Sequence, residues 1–474
     1  MADSTRNQSL GARIRAFFGV QDMTTGSPMT KLIQFSIPLL IGNLAQQLYN
    51  TVDSIVVGKY IGDTALAAVG TAGPILNLML VLFMGISAGA SILASQYFGA
   101  KDRDTLSRVV GTTIVLTLVS GLIVTFLGFF ASPALIHMMK PPEDVANGAI
   151  IYLKIIFIGI LGGGAYNILS GVLRGIGDSF FPLLYLALAC VLNIIMDILF
   201  VARFNMGIAG VAWATIIAQA ISGALCLIRL LRMKDIIDVN RRTLRIDRTL
   251  ASRLGSLGVP SGITTALFSM SAIMVQSLTN SLGTAMIAAN VAVMRVDGFA
   301  MMPNFTYGTA ATTYVGQNIG ARDVQRAHKG IMDLLRLAVG TAIVLVLCIL
   351  LFGRGLIGLF TNTPDVINIG VQGLRWLALG YIAFAVTNCL HGAMRGAGET
   401  MVPMWISIFT TIIIRLPLAY LLAFLTRNET WPNGQPVALF SSLLISWLLG
   451  MGITIIAYKR GAWKRKLPED LRKQ

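Results

Sequence analysis

Residues 171–182 read GVLRGIGDSFFP, and residues 392–403 read GAMRGAGETMVP. Arg174, Gly175, Gly177, Asp178, Ser179 and Pro182 reappear as Arg395, Gly396, Gly398, Glu399, Thr400 and Pro403, each 221 positions further on. A glycine-rich, charged turn ahead of a proline, held at one spacing in two halves, marks a duplicated architecture. The duplication reaches well beyond the turn. Gln96, Gly99, Ala100, Lys101 and Asp102 match Gln317, Gly320, Ala321, Arg322 and Asp323 at the same distance, as Gly62, Ala67 and Ala68 match Gly283, Ala288 and Ala289. Lys154 and Gly159 match Arg375 and Gly380, and Pro38 matches Pro260 with a shift of one.

The composition places these repeats in a membrane. Of the 474 residues 55% are hydrophobic and only 12% charged, against about 25% charged in an ordinary soluble domain. Mean hydropathy is +0.74. Apolar runs long enough to cross a bilayer, ~20 residues each, recur along the chain. Twelve spans are expected: 31–58, 65–98, 106–136, 146–170, 179–202, 208–232, 251–282, 285–318, 326–359, 366–394, 401–425 and 436–458. Residues 1–29 carry Arg6, Arg13 and Arg15 and have no apolar core of the kind a cleavable signal peptide needs. Cys190, Cys226, Cys348 and Cys389 fall within apolar runs without a CxxC or a histidine cluster, so they are read as small buried side chains.

Basic residues give the expected orientation. The N-terminal tail, KDRDTLSR at 101–108, Arg174, the 229–253 region, ARDVQRAHK at 321–329, Arg395 and the tail from Lys459 alternate with loops holding only Lys59, Lys140, Arg203, Arg354 and Arg427. By the positive-inside rule both termini are cytoplasmic. The net charge of +16 is thus a topology signal that also attracts anionic lipid, and no nucleic-acid partner is needed to explain it. Each half holds six spans, an even number that returns the chain to its starting side, so the halves are parallel repeats. The expected organisation is a cytoplasmic tail at 1–30, a six-helix lobe at 31–232, a cytoplasmic connector at 233–250, a second lobe at 251–458 and a basic tail at 459–474.

An ionisable group at the centre of a membrane helix costs roughly 2.5–3.5 kcal/mol on insertion scales and so asks for a reason. In the first half the acidic candidates are Asp53 in span 1 and Asp197 in span 5, both about five residues, or ~7 Å, below the outer end. Asn43, Gln46, Gln47, Asn50 and Ser54 line one face of span 1, and Asn193 precedes Asp197 by one helical turn. Carboxylates with amide and hydroxyl oxygens suit a hard cation such as Na⁺, and a desolvated carboxylate can instead carry a proton. The plainer alternative is a pair of solvated acids in the outer interface. In the second half MRVDGFAMMP (294–303) offers Met294, Asp297, Phe299, Met301 and Met302, a pliable apolar wall with one acid; ordinary packing is the alternative. Arg295 and Asp297, two apart, face different ways, and Arg336 is expected to snorkel or pair with a nearby acid. Pro38 removes a backbone hydrogen bond from span 1 and can bend it. In the repeated turn, Arg174 and Arg395 are expected to pair with Asp178 and Glu399, Gly175, Gly177, Gly396 and Gly398 to allow tight turning, and Ser179 and Thr400 to cap the next helices. No nucleophile–base set, phosphate loop or metal-ligand spacing is present, so enzymatic chemistry and a bound cofactor are not expected.

The paired GxxRGxG[DE][ST]xxP and QxxGA[KR]D segments, IPLLIGNLAQQLYNTVD at 37–53 and the duplication together resemble the multidrug and toxic compound extrusion (MATE) transporters over residues 30–460. The resemblance implies a V-shaped pair of six-helix bundles, all-α with twelve transmembrane helices, in the plasma (inner) membrane. It also implies cation-coupled efflux of small organic compounds by alternating access, with Na⁺ or H⁺ as coupling ion, in a protein expected to be a monomer. Within the family the chain is similar to the DinF-like branch, where an acid on the bent first helix and an Asn-x-x-x-Asp on the fifth form the cation site. Asp53, with Asn193 and Asp197 of LNIIMD, fills those places, and Thr215 in AWATIIAQ resembles the hydroxyl ligand of the sixth helix. The seventh span has no acid, and the tenth offers Arg375, Asn388 and His391, so a second-lobe cation site of the NorM type is not expected. At the 221-residue spacing Asn193 and Asp197 fall opposite Ile414 and Leu418, and Asp53 opposite Met274 or Val275. A lipid-linked glycan or flavin exporter of the same superfamily is the alternative function, and a passive channel or sensory scaffold the alternative class.

Overall fold

The computed structural model describes residues 19–139, 141–429, 431–467 and 469–472, without the side chains of 48–60, 63 and 66. The tail arginines 6, 13 and 15, Lys140, and the side chains of Asn50, Asp53, Ser54 and Lys59 therefore lie outside the described residues. The protein is all-helical over what is described. Twelve long helices follow one another: α1 Pro28–Tyr60, α2 Asp63–Gly99, α3 Arg103–Met138, α4 Glu143–Gly175, α5 Phe180–Arg203, α6 Gly207–Arg232, α7 Arg248–Ser281, α8 Thr284–Gly320, α9 Val324–Gly358, α10 Pro364–Gly396, α11 Met401–Leu425 and α12 Val437–Lys459. Each matches an expected span to within a few residues. Among the described residues 11 helices, α2 to α12, are long and apolar enough to cross a membrane. Large apolar side chains also cover outward faces, with Phe126 and Phe130 on α3 and Leu351 and Phe352 on α9 all more than 60% exposed. An apolar exterior of this extent belongs in lipid rather than water. Cys348 lies on such a face and is exposed, contrary to the expectation of burial; the other three cysteines are buried.

The described residues divide into two compact units, the first within 19–26 and 33–262, the second within 27–32 and 263–472. In the first, α4 packs on α2, α3 and α6 around Phe83, Leu153 and Phe157. In the second, α10 packs on α8, α9 and α12 around Leu374, Tyr381 and Phe440. The segment 233–250 is held to the first unit. Asp238 N donates to Ser107 Oγ (2.9 Å), Thr112 Oγ1 to Arg245 O (3.1 Å), and Arg108 pairs with Asp247 (3.4 Å).

The repeated sequences have repeated physical roles. At the ends of α2 and α8, Lys101 and Arg322 take positive φ values of 56° and 61°. Asp102 and Asp323 then cap the next helix, accepting from Thr105 N (3.0 Å) and Arg326 N (2.8 Å). The Thr105 backbone N–H holds the Asp102 carboxyl below its ordinary range. At the ends of α4 and α10 the glycines permit close helix contact of the small-residue kind. A Cβ on Gly175 would sit 2.5 Å from Ser91 O, and one on Gly396 would sit 2.5 Å from Thr312 O. Gly177 and Gly398 adopt φ of 91° and 90°, the left-handed region that only glycine enters freely. Against Gly177 lies the N-terminal segment, with Gln21 N donating to Gly177 O at 3.0 Å and Met23 fully buried.

The charges of this turn pair differently from expectation. Asp178, fully buried, is bound by Arg229 of α6 (3.1 Å), whose guanidinium also stacks 3.8 Å from the Phe181 ring. Burial pushes the Asp178 carboxyl up, with Arg229 opposing the shift. Glu399 accepts instead from the backbone N–H groups of Met401 (3.0 Å) and Val402 (3.2 Å). Asp178 likewise accepts from Phe181 N (3.2 Å), so the carboxylates cap α5 and α11 where Ser179 and Thr400 were expected to. A carboxylate beside a helix N-terminus meets both the orphan N–H groups and the positive end of the helix dipole, which outcompetes a local bond to the arginine.

One feature of α11 changes the correspondence between the halves. Its stretch Phe409–Ile414 is π-helical, and such a turn accommodates one extra residue. The 221-residue register set at Pro182 and Pro403 therefore becomes 222 beyond it. Asn193 and Asp197 correspond to Arg415 and Ala419, not to Ile414 and Leu418. The π-helical end of α5, Leu199–Arg203, lies past Asp197 and does not disturb that comparison.

Replacing Gly396 by valine should destabilise the protein by about 1–3 kcal/mol, the usual penalty for forcing extra carbons into a packed contact. A thermal melt of the purified protein in detergent checks this, with the half-buried Gly452, which has open space around its Cβ position, as the control site.

Candidate functional site

In the first unit the structure brings together three of the four residues singled out for cation coupling. Asn193 and Asp197 lie one turn apart on the buried face of α5, and both are fully buried. α6 supplies Thr215, also buried. With the Asn193 amide nitrogen oriented toward Asp197, as the surrounding donors and acceptors require, it donates to Asp197 Oδ2 at 3.0 Å. Its oxygen then accepts from Thr215 N at 3.2 Å. The Thr215 hydroxyl donates to Val211 O (2.9 Å), which leaves its own oxygen lone pairs as acceptors. The result is a small, water-excluded group of oxygens with one carboxylate, a donor set fitted to a hard monovalent cation or to a proton on the carboxylate. Asp53, the fourth residue, is on α1 but its side chain lies outside the described residues, as does that of Asn50. Gln46, on the same helix, is half-buried.

In the second unit a cavity of about 280 Å³ contains Met294, Asp297 and Met301 in its wall. Phe299 and Met302, expected there too, are not among its lining residues, and Phe299 is nearly half exposed. A helix cannot turn all four of these apolar positions to one side: Phe299 falls on the opposite face from Asp297. Asp297 accepts a hydrogen bond from the hydroxyl of Tyr381 on α10, while Arg295 faces outward. Arg415 of α11 lines the same cavity. Its Nη1 donates to Ser271 Oγ at 3.0 Å. Arg336, by contrast, pairs with Asp333 at 2.9 Å, one turn back on α9, as one of the two expectations had it.

A second cavity of about 330 Å³ in the same unit is lined by Asn388, His391 and Arg395. His391 Nε2 lies 3.1 Å from Thr454 Oγ1. The two cavities share Phe268, Phe305, Phe384 and Trp447; Phe305 and Phe384 meet edge-to-face at 5.7 Å, and Phe384 and Trp447 meet at a tilt at 5.3 Å. In the sequence Arg415 stands out only as one more ionisable group in an apolar span, without a role, and neither Tyr381 nor this aromatic group stands out at all. A membrane-buried Asp297 does announce that a donor must exist somewhere, but nothing in local spacing says which helix provides it.

The MatE family profile matches residues 38–199 and 260–421, the two halves of the repeat. The probable multidrug resistance protein YpnP of Bacillus subtilis (strain 168) is 30% identical over 446 residues, which cover 94% of this chain and 97% of that protein. The probable multidrug resistance protein YoeA of the same organism is also 30% identical, covering 91% and 93%. A solved structure described as the outward-facing conformation of a multidrug resistance MATE family transporter of the MOP superfamily superposes with a TM-score of 0.87, at 23% identity, over 96% of this chain and 99% of that one; at that identity the likeness is one of fold. Both halves match the profile and near full-length relatives share 30% identity, and on that ground the protein belongs to the MATE family of multi-pass membrane transporters.

Proposed function

We propose that this protein is a multidrug efflux transporter that exports amphipathic, often cationic, organic compounds by alternating access, driven by inward movement of Na⁺ or H⁺ through its first six-helix unit. The observation that carries the reading is the buried group formed by Asn193, Asp197 and Thr215 across α5 and α6. It stands in a chain whose relatives are named as multidrug resistance proteins. In this reading Asp197 and Asp53 carry the cation, Asn193 and Thr215 complete its oxygen shell, and the set is of the DinF-like kind. The protein sits in the cytoplasmic membrane as a monomer, both termini cytoplasmic, with lipids as its surroundings and small organic molecules as its other partners.

The first six-helix unit cannot hold a bare carboxylate and stay dry without cost, so a cation or proton stabilises Asp197 in the closed site and is released when the site opens. Pro38, buried within α1, gives that helix a point at which the missing backbone bond lets it bend. Substrate contacts are assigned to Gln46 and Asn50 on α1, and to the cavity wall formed by Met294, Asp297 and Met301. Flexible thioethers there accommodate compounds of varied shape.

In proteoliposomes with Na⁺ and H⁺ gradients imposed separately, the wild-type protein should move dye uphill with one of them. Asp197→Asn and Asp53→Asn should each reduce that movement to background while the protein stays folded in the membrane; wild-type rates from either variant would sink the coupling assignment. Pro38→Ala should slow efflux, and a normal rate would remove the bend from the mechanism. Met294→Trp narrows the cavity and should raise KM for bulky compounds more than for small ones, with equal effects on both excluding that wall from the substrate path.

A further inference from the structure

We propose that the second unit contains a cation site of its own, filled permanently by the guanidinium of Arg415 rather than by an exchangeable ion. The proposal rests on the reading of Asp53, Asn193 and Asp197 as the coupling set of the first unit, and on the register that the π-helical stretch of α11 establishes. At a spacing of 222 residues, which also relates Pro38 to Pro260, those three positions become Val275, Arg415 and Ala419. Two carboxylates are lost and one fixed positive charge is gained. The compensating negative charge comes from elsewhere in the same unit. Asp297 on α8 stands where the first half has Leu76, and its hydrogen-bond donor Tyr381 stands where the first half has Ile160.

The geometry fits a tethered counter-ion. Val275, Asp297 and Arg415 line one cavity of about 280 Å³, and Asp297 and Arg415 are the only charged groups among its described lining residues. Arg415 is anchored by one arm, Nη1 to Ser271 Oγ at 3.0 Å, and Ser271 Oγ reaches Thr411 O at 3.4 Å. Its Nε is buried and has no hydrogen-bond partner among the described residues. Asp297 and Arg415 are not in direct ion-pair contact, so they balance each other across the cavity instead of closing it. In an apolar span each charge alone is costly and the two together are tolerable. The second unit thus carries its positive charge on its own chain, whereas the first, in the proposed coupling reading, takes one from solution. This explains why a protein with two matching halves needs just one of them for coupling: the duplicate site survives as a cavity whose cation is covalently attached.

Neutralising Arg415 should unmask the site. The test uses full-length protein in nanodiscs, measuring equilibrium ²²Na⁺ binding and, separately, proton uptake on a pH jump. The parent is Asp197→Asn, which silences the first unit. Adding Arg415→Gln, which keeps a donor for Ser271 and removes the charge, should create about one new cation per protein, as Na⁺ or as a proton, and adding Asp297→Asn should abolish it. Arg415→Lys, which restores the tethered charge, should bind no more than the parent. The proposal is overturned if Arg415→Gln, eluting as a monodisperse folded protein, binds no additional cation. It is equally overturned if Asp297→Asn lowers cation binding while Arg415 is intact. Failure of the coupling assignment in the first unit has a separate signature, because Asp197→Asn would then leave wild-type binding unchanged while the comparison with and without Arg415 still reads out within one background.

Discussion

A charge placed in a hydrocarbon-spanning helix must be compensated by the protein itself, because no water is present to do it. The buried charges described above follow that constraint. Asp197 receives the Asn193 amide, Asp178 receives Arg229, Asp297 receives the Tyr381 hydroxyl and faces Arg415. Two of these compensations cross between helices, Asp178 to Arg229 on α6 and Asp297 on α8 to Tyr381 on α10, and Asn193, which serves Asp197 within α5, also reaches Thr215 N on α6, so the same contacts that make the charges tolerable also fix how the helices pack. The functional assignments follow from asking which of these compensations is complete. The Arg229 pair is a closed, structural one, stacked on Phe181. The Asp197 group is of another kind: a neutral amide and a backbone N–H bridge α5 and α6 around one carboxylate.

The frame around these sites is built by glycine and repeated. Gly175 on Ser91 and Gly396 on Thr312 bring α4 against α2 and α10 against α8 at distances no side chain would permit. The turns that follow need the positive φ of Gly177 and Gly398. Both halves therefore have the same rigid inner contacts, and divergence has been confined to positions that this scaffold leaves free. The aromatic group of Phe268, Phe305, Phe384 and Trp447 belongs to the second half alone; its counterpart to Phe384, at the 221-residue spacing, is Gly163. Aromatic and thioether side chains wall the cavities described in the second unit, whereas the first places Asn193, Asp197 and Thr215 together.

Much of this was legible from the residues. Helix limits could be read closely because bilayer thickness sets the length of an apolar run and charged or glycine-rich turns end it. The repeat was legible because turns with special backbone geometry tolerate few substitutions, as the matched φ values of Lys101 and Arg322 illustrate. Asn193 and Asp197 could be placed on one face by their spacing alone. The pairing of Asp178 with Arg229 was not foreseeable in the same way, because a local arginine four residues away competes with one 51 residues away, and only the packing of α6 on α5 decides between them.

What the sequence by itself determined is the part governed by local physics: a twelve-span, duplicated membrane protein, its turns and caps, and the candidate acids, since each of these follows from composition, period or backbone conformation. What only the tertiary structure decided is which groups meet across helices. Thr215 joins Asn193, Tyr381 reaches Asp297 from 84 residues away, and Phe299 turns out of the cavity that Met294 and Met301 line. The π-helical residues of α11 show the division most clearly. A shift of one residue is invisible in the letters FTTIII, yet it rotates the helix beyond by about 100°, so that Arg415, and not Ile414, takes the place of Asn193.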